Sequence, residues 1–257
     1  MKACVTATAV LAGLPVEVPG RFARSLRRAD DFIRLAVAAT ARVLPEEKAQ
    51  SATGLFLGTG FGPMQTNFDV LGLIVDEDQT SPTLFSHSVF NGAAGYIARL
   101  FEIPERSATF TDFSWPFFRA LAEGCAAIER GELRRCLVLQ VETYSDLLEE
   151  ARQREGGEVA FWHAGAVAWL LSGEEPGNGP VLDEIDITTA SAPAEKLLHR
   201  NDSLVCDTQT GGCTTPLAAA AALTSMINGA GPASAFSCRL TAPYGTVRLR
   251  FSGAAGR

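Results

Sequence analysis

Short apolar strands alternate with helices along this chain, and this alternation constrains the fold more than any other feature. Residues 136–142 form a largely apolar run that is typical of a buried strand, and residues 54–60 predict another that enters a glycine turn. Apolar residues at helical spacing over 30–44 and 117–128 predict helices. Strand–helix–strand alternation occurs twice, which predicts a layered α/β architecture.

The remaining segments have more approximate bounds. Further strands are predicted over residues 2–11, 108–111, 161–172 and 181–190, with a hairpin-like pair over 236–240 and 245–251. Further helices are predicted over residues 91–99 and 216–228, another helical region opens at 81–83, and 151–158 are predicted to be an exposed linker. Ser114 is predicted to cap the following helix, with Pro116 in its first turn.

Composition places the chain among ordinary globular proteins. Its 257 residues are 47% hydrophobic and 20% charged, which suits one or two domains with a sizeable core. The absence of an apolar run of about twenty residues argues against a membrane span, and the start of the chain is interpreted as a strand, not a signal peptide. The six cysteines form no Cys-x-x-Cys pair, so we expect most of them to be buried thiols and expect neither a metal nor a cofactor. Reduced thiols of this kind indicate a cytoplasmic protein.

The charge balance excludes some partners. A net charge of −7 disfavours non-specific binding to nucleic acid. The densest basic cluster is Arg21, Arg24, Arg27 and Arg28, for which a solvated face is favoured over a docking patch. The glycine turn after residue 57 lacks the Lys-Ser/Thr of a P-loop and the spacing of a dinucleotide fingerprint, so we reject both functions.

Two segments carry a family resemblance. Residues 88–95 (SVFNGAAG) and 108–114 (ATFTDFS) resemble the region that leads to the active-site cysteine of β-ketoacyl synthases, which have the thiolase fold. Weaker matches follow in the family's order along most of the chain. The resemblance implies a thiolase-like layered αβαβα fold with a shortened second half. It also implies a single ketosynthase-like domain over 1–257, made of halves at about 1–150 and about 158–257.

The departures from the family pattern concern its catalytic groups. Phe113 stands at the position of the cysteine nucleophile, and Gly212 stands where the family's Thr-Gly-His motif has a histidine. The segment for the other catalytic histidine is missing, and residues 237–243 replace a Gly-Phe-Gly-Gly turn. A phenylalanine cannot form a thioester, so the resemblance implies no catalytic residue and a function other than condensation.

Chain-length factors of type II polyketide systems are family members in this state. They lack a working nucleophile and pair with an active ketosynthase, whose acyl tunnel runs along the shared interface. The block over residues 81–91 resembles the subunit of aryl-polyene pathways. The resemblance thus implies a heterodimer with an active β-ketoacyl synthase, and an acyl carrier protein as further partner, in polyene, polyketide or fatty-acid-like biosynthesis.

The resemblance also assigns residues to two surfaces. The partner-facing strand is expected to present Thr109, Phe110 and Thr111. The residues expected to line the tunnel are His87, Phe90, Asp112, Phe113, Ser114, Trp115 and Phe117. For each aromatic side chain, ordinary core packing is the favoured alternative.

Two other functions stay open at this point. One is an acyltransferase or hydrolase with a rearranged site around Cys213 or His87, and the other is a scaffold that binds acyl carrier protein without shaping a tunnel. Cys125 is expected to be buried and inert. His163 is expected to be a core histidine in an apolar strand.

Overall fold

A computed structural model describes residues 3–44, 52–76, 81–154, 163–173, 179–189, 205–206, 215–230, 235–242 and 244–253. The strands are β1 (Ala3–Ala12), β2 (Thr53–Thr59), β3 (Ser107–Thr111), β4 (Arg135–Glu142), β5 (Gly165–Ser172), β6 (Val181–Thr189), β7 (Val205–Cys206), β8 (Phe236–Ala242) and β9 (Gly245–Ser252). The helices are α1 (Asp31–Val43), α2 (Met64–Asp76), α3 (Pro82–His87), α4 (Gly92–Leu100), α5 (Pro116–Glu129), α6 (Asp146–Arg154) and α7 (Pro216–Gly229), with a 3-10 turn at Gly20–Phe22.

The described strands form one nine-stranded mixed sheet in the order β3-β2-β4-β5-β1-β6-β9-β8-β7. Strand β2 runs parallel to β3 and β4, and the other pairings are antiparallel. Strands β1 and β6 pair at Ala3–Leu182 and Cys4–Val181, and Val5 N donates to Pro180 O, directly before β6, at 3.0 Å. The sheet therefore consists of a first group of strands, β3-β2-β4-β5-β1, and a second group, β6-β9-β8-β7, with a narrow junction between β1 and β6. The carboxyl ends of β3, β2 and β4 lie together at one edge of the first group.

Two buried clusters cover opposite faces of the first group of strands. Leu55 and Leu57 pack with residues of α1 and α4, whereas Phe56 between them packs with α5. The cluster around Phe56 also contains apolar residues of α7, β8 and β9, among them Phe251. Helices α5 and α7 therefore share a core with both groups of strands, and the predicted layered α/β architecture is confirmed.

The outer face of the second group of strands is polar. Residues alternate between buried and exposed along β8 and β9, as the two-residue period of a half-buried strand requires. On the exposed face, Arg250 Nη2 lies 3.1 Å from Glu184 Oε2, and both side chains are more than half exposed. Within the described residues, this face carries charge where a core face would carry apolar side chains.

Side-chain caps begin four of the helices. Asp30 Oδ1 accepts a hydrogen bond from Ile33 N at 2.9 Å at the start of α1, and Ser81, Ser145 and Thr215 cap α3, α6 and α7 in the same way. The prediction that Ser114 caps α5 is wrong, because Trp115 occupies the cap position and makes no side-chain cap bond. Pro116 does stand in the first turn, as predicted.

Other segments differ from the predicted ones. Helix α6 extends into the predicted linker 151–158. Glu150 and Arg154 form an i,i+4 ion pair, which favours helix there. Residues 155–158 lie outside the described residues. Strand β5 begins at Gly165, so His163 precedes it and is exposed, and its prediction as a core histidine is wrong. Helix α2 was not predicted.

Four cysteines are buried and unbridged, as predicted: Cys4, Cys125, Cys136 and Cys238. Cys213 and Gly212 lie outside the described residues. Across the described ranges, every helix is too short or too polar to cross a bilayer. The division into two halves stays a prediction.

Candidate functional site at the β3–α5 turn

The turn over residues 112–115, called the elbow below, joins β3 to the buried helix α5. Asp112 N donates to Thr59 O at 3.1 Å, which continues the pairing with β2 for one residue. The Asp112 carboxylate accepts from Ser114 N at 2.7 Å and from Arg119 Nε at 3.1 Å. One carboxylate therefore holds both the turn and the first part of α5.

Phe113 stands at the elbow with 69% of its surface exposed. Its ring meets Phe61 edge to face with 5.4 Å between centroids, and Phe61 meets Tyr144 in the same way at 5.5 Å. These three rings follow the ends of β3, β2 and β4, so they form a partly exposed aromatic group at the carboxyl edge of the parallel strands. Phe113 carries no atom that can act as a nucleophile or a base.

A buried carboxylate lies beneath this aromatic group. Glu142 Oε1 accepts from Gly60 N at 2.6 Å, and Oε2 accepts from Phe61 N at 3.2 Å. Thr59 Oγ1 and Gln140 Nε2 donate to the same carboxylate at 3.1 Å and 3.2 Å. Burial raises the pKa of Glu142 to about 7, against the opposing effect of these hydrogen bonds.

Sequence reasoning missed Glu142 as a functional candidate. The available signal was a charged residue that ends the apolar run Cys136-Leu137-Val138-Leu139-Gln140-Val141. A terminal Glu is ordinarily the solvated end of a strand. Only the turn after β2, which closes over the carboxylate, makes it a buried group.

Phe90 joins the elbow region through the turn after β2. Its ring packs against Gly62, which has φ +59°, so closely that a Cβ at Gly62 would overlap it. Phe61 and Gly62 are neighbours, so Phe90 and Phe113 contact adjacent residues of the same turn. The structure thus brings Phe90 to the turn that contacts Phe113, with the predicted tunnel residues Asp112 and Ser114 on either side of Phe113 in the elbow.

Trp115 and Phe117 lie elsewhere, in the core. Both are fully buried. Phe117 meets Trp169 edge to face at 5.1 Å, and Trp115 meets Phe118 at 5.6 Å. In the described chain their packing is that of core aromatics, the favoured alternative, and their contact with a tunnel stays a prediction.

His87 is sequestered in the structure. His87 is 2% exposed, and its Nε2 lies 3.0 Å from Tyr96 Oη.

Cys125 is buried, and burial raises the pKa of its thiol to about 12 because the thiolate would be desolvated. Cys125 is therefore inert, as expected. Within the described residues, no group of three His, Cys, Asp or Glu side chains is placed to hold a metal ion.

Strand β3 is the first strand of the sheet, so the described residues pair only one of its two edges. Thr111 is exposed, and the half-buried ring of Phe110 stacks on Phe56 with 6.4 Å between centroids. Among the described residues, Thr109 Oγ1 is buried without a hydrogen-bond partner. A free strand edge is a template for pairing with another chain. The role of these three residues at a dimer interface stays a prediction.

The layered fold and the strand–elbow–helix arrangement define a thiolase-like protein. The family model for the N-terminal domain of β-ketoacyl synthases matches residues 22–222, so the chain belongs to the β-ketoacyl synthase family. No match was found among curated proteins.

Three solved structures have the same fold. One is a ketosynthase in complex with its chain length factor from Xenorhabdus doucetiae, with 16% identity and a TM-score of 0.65. Another is the ishigamide ketosynthase/chain length factor, with 12% identity and a TM-score of 0.70. The third is a type II polyketide acyl-carrier protein in complex with its ketosynthase, with 12% identity and a TM-score of 0.69. Each match covers 98% of this chain and 99% of the other, which confirms the thiolase-like fold.

Proposed function

We propose that this chain is a non-catalytic ketosynthase-like subunit, a chain length factor that pairs with an active β-ketoacyl synthase and shapes its acyl tunnel. The observation that carries the proposal is Phe113. It occupies the turn between β3 and the buried helix α5, the place where the resemblance puts the nucleophilic cysteine. A benzyl side chain cannot carry an acyl group, so the remaining contribution of this position is shape.

The surface of the chain supports a partner. Strand β3 has a free edge among the described residues, and Phe113 is exposed beside it. Helices α2 and α3 also expose large apolar side chains: Leu71 is 54% exposed, Val75 70% and Phe85 63%. Exposed apolar groups of this kind, when they adjoin one another, mark interaction sites in soluble proteins.

The compared structures suggest what the partner is. Two of them contain a ketosynthase with a chain length factor, and the third contains a ketosynthase with an acyl carrier protein. By analogy, the active ketosynthase would be the stable partner, and the carrier protein would deliver the growing chain to the pair. The block over residues 81–91 favours an aryl-polyene-type product.

The proposed mechanism is steric. Phe113, supported by Phe61, would form part of a tunnel wall, and Phe90 would contact the same turn at Gly62. Apolar sites discriminate by about 1–3 kcal/mol for each methylene, so one ring can decide where a chain stops growing. Smaller side chains at position 113 would therefore admit longer chains.

The test is co-expression with an active ketosynthase encoded alongside this chain, followed by co-purification and product analysis. We expect a stable complex, and we expect longer or more heterogeneous products from Phe113→Ala. Phe113→Tyr keeps the ring and is the matched control, with nearly unchanged products. An isolated chain that turns over an acyl thioester, or that is labelled stoichiometrically at one cysteine by it, would overturn the proposal in favour of an enzyme with a rearranged site.

The remaining alternative is separated by the same complex. A scaffold that only binds acyl carrier protein would leave the active ketosynthase soluble and fully competent alone. It would also give unchanged products from Phe113→Ala. We expect the ketosynthase to require this chain for its normal product.

A further inference from the structure

The carboxylate of Glu142 is the acceptor for the whole turn after β2. It receives hydrogen bonds from Gly60 N and Phe61 N, and from Thr59 Oγ1. Thr59 Oγ1 in turn accepts from Gly62 N at 2.8 Å. The main-chain N–H groups of residues 60–62 therefore depend on Glu142, directly or through one hydroxyl group.

The turn carries the aromatic surface of the elbow. Phe61 lies in its middle and supports the exposed ring of Phe113 at 5.4 Å between centroids. Gly60 lies against Phe113 as well, because a Cβ at Gly60 would come within 3.9 Å of Phe113 Cδ1. A change in the turn would therefore be transmitted to Phe113.

The charged and titratable groups around Glu142 do not include a counter-ion for it among the described residues. Its polar contacts are the main-chain, hydroxyl and amide donors given above. On the neighbouring strand end, Asp112 is paired with Arg119. Tyr144, the titratable group that follows β4, contacts Phe61 by its ring.

We propose that Glu142 is a positioning residue that holds the Gly60–Gly62 turn, and through it the Phe61–Phe113 pair, in the arrangement that the elbow presents to the partner subunit. This inference rests on the proposed function for its partner, and on the hydrogen bonds of this chain for its mechanism. It goes beyond that function because the controlling group is buried behind the surface that it controls.

The two protonation states of Glu142 differ in what they can accept. The carboxylate can accept from all four donors, and bonds to an ionised acceptor are the stronger ones. The protonated acid carries a hydroxyl that must itself donate, so one of the four donors loses its acceptor. Among the described residues, Gln140 Oε1 is buried without a partner, and rotation of this side chain lets Oε1 accept the acid proton in place of the Nε2 donation. The donors of the turn then bond to a neutral acceptor. These bonds are weaker than those to the carboxylate, so proton uptake loosens the turn.

The first experiment follows the amide resonances of Gly60 and Phe61 in the isolated chain between pH 5.5 and 8.5. We expect both to titrate with one midpoint, near pH 7 where burial places the pKa of Glu142. Glu142→Gln should abolish this titration and weaken the contacts between the Phe61 and Phe113 rings in NOE spectra. Glu105→Gln removes the same charge at an exposed position and should leave both signals unchanged.

The second experiment measures affinity for the active ketosynthase. We expect Glu142→Gln to weaken binding about five- to tenfold, and Phe113→Ala to show little further loss when added to it. Thr59→Val removes the bridging hydroxyl and should act in the same direction, whereas Thr59→Ser keeps it and should not. These variants leave the test intact if Glu142→Gln folds poorly.

The outcomes separate the two proposals. Amides of residues 60 and 61 that do not titrate, or that titrate equally in Glu142→Gln, would overturn the role of Glu142 whatever the partner is. An isolated chain that shows the titration but binds no ketosynthase would overturn the proposed function instead. Full partner affinity in Glu142→Gln and Thr59→Val would overturn the link between turn and interface.

Discussion

Trp169 of β5 donates its indole N–H to Thr224 Oγ1 of α7 at 2.8 Å, and both side chains are fully buried. The same hydroxyl donates to Ala220 O at 2.7 Å, so one oxygen serves the sheet and the helix together. This contact joins α7, which lies late in the chain, to the central strands.

The first prediction concerns this hydrogen bond. Thr224→Val keeps the shape but leaves the indole N–H buried without an acceptor, which costs about 1–3 kcal/mol. Thr224→Ser keeps the hydroxyl and is the control. Urea unfolding should give a lower free energy of unfolding for the valine variant than for the serine variant, and equal values would contradict the assignment.

The second prediction concerns pH. Burial raises the pKa of Glu142 from 4.5 in the unfolded chain to about 7 in the folded one. The folded state therefore binds this proton more tightly than the unfolded chain does. The resulting contribution to the free energy of unfolding is fully present below pH 4.5 and is lost as pH rises through about 7. Glu142→Gln should flatten the fall in the free energy of unfolding between pH 5 and pH 7.5 by about 1–3 kcal/mol.

A control is needed because burial also raises the pKa of Asp30, which acts in the same direction. The difference between wild type and Glu142→Gln removes the contribution of Asp30, which both proteins share. Glu105→Gln should follow the wild-type curve. A Glu142→Gln curve that parallels wild type would show that Glu142 does not titrate in this range.

The third prediction tests the exposure of position 113 in the elbow. Phe113→Cys should add one thiol that reacts rapidly with iodoacetamide, because this position is 69% exposed while Cys4, Cys125, Cys136 and Cys238 are buried. Mass spectrometry of the folded variant after labelling, compared with wild type and Phe113→Ser treated in the same way, counts the labelled thiols. The partner ketosynthase should protect the new thiol. A thiol that reacts only after unfolding would contradict the elbow geometry.

The fourth prediction concerns the approach of α5 to β2. A Cβ at Gly58 would overlap the carbonyl group of Pro116, at the start of α5. Gly58→Ala should therefore cost about 1–3 kcal/mol, as overpacking does. Gly95→Ala, on α4 with nothing within 4 Å of the added methyl group, should be neutral or stabilise by up to about 1 kcal/mol. Thermal unfolding of both variants checks the pair.

The fifth prediction concerns the apolar side chains of α2. Val75→Asp should leave the free energy of unfolding within about 0.5 kcal/mol of wild type, because Val75 is 70% exposed. It should lower affinity for the ketosynthase about tenfold or more, because we expect the exposed apolar side chains of α2 to contact the partner. Leu147→Asp changes a 52% exposed residue of α6 and is the control. Equal losses from both variants would contradict a specific role for α2.

Elements with strong local signals agreed with their predictions. The apolar spacing over 30–44 predicted α1 almost to the residue, because the apolar face of a helix is a local pattern. Helix α2 was missed because only Thr66 is buried along it, so its apolar residues do not follow the one-faced pattern of a core helix. Whether the apolar side chains of α2 are exposed depends on which other elements pack against the helix, and the local sequence does not specify this.

The candidate site likewise has one part that the local sequence predicts and one part that it does not. The order of residues around 108–117 was enough to place Phe113 between a strand and a buried helix, because strand and helix periods are written in consecutive residues. The approach of Glu142 to Gly60 and Phe61, and of Phe61 to Phe113, joins the ends of three strands that are far apart in the chain. Such contacts depend on parallel pairing and register, which no local pattern specifies, so only the tertiary structure could bury the carboxylate and place the ring above it.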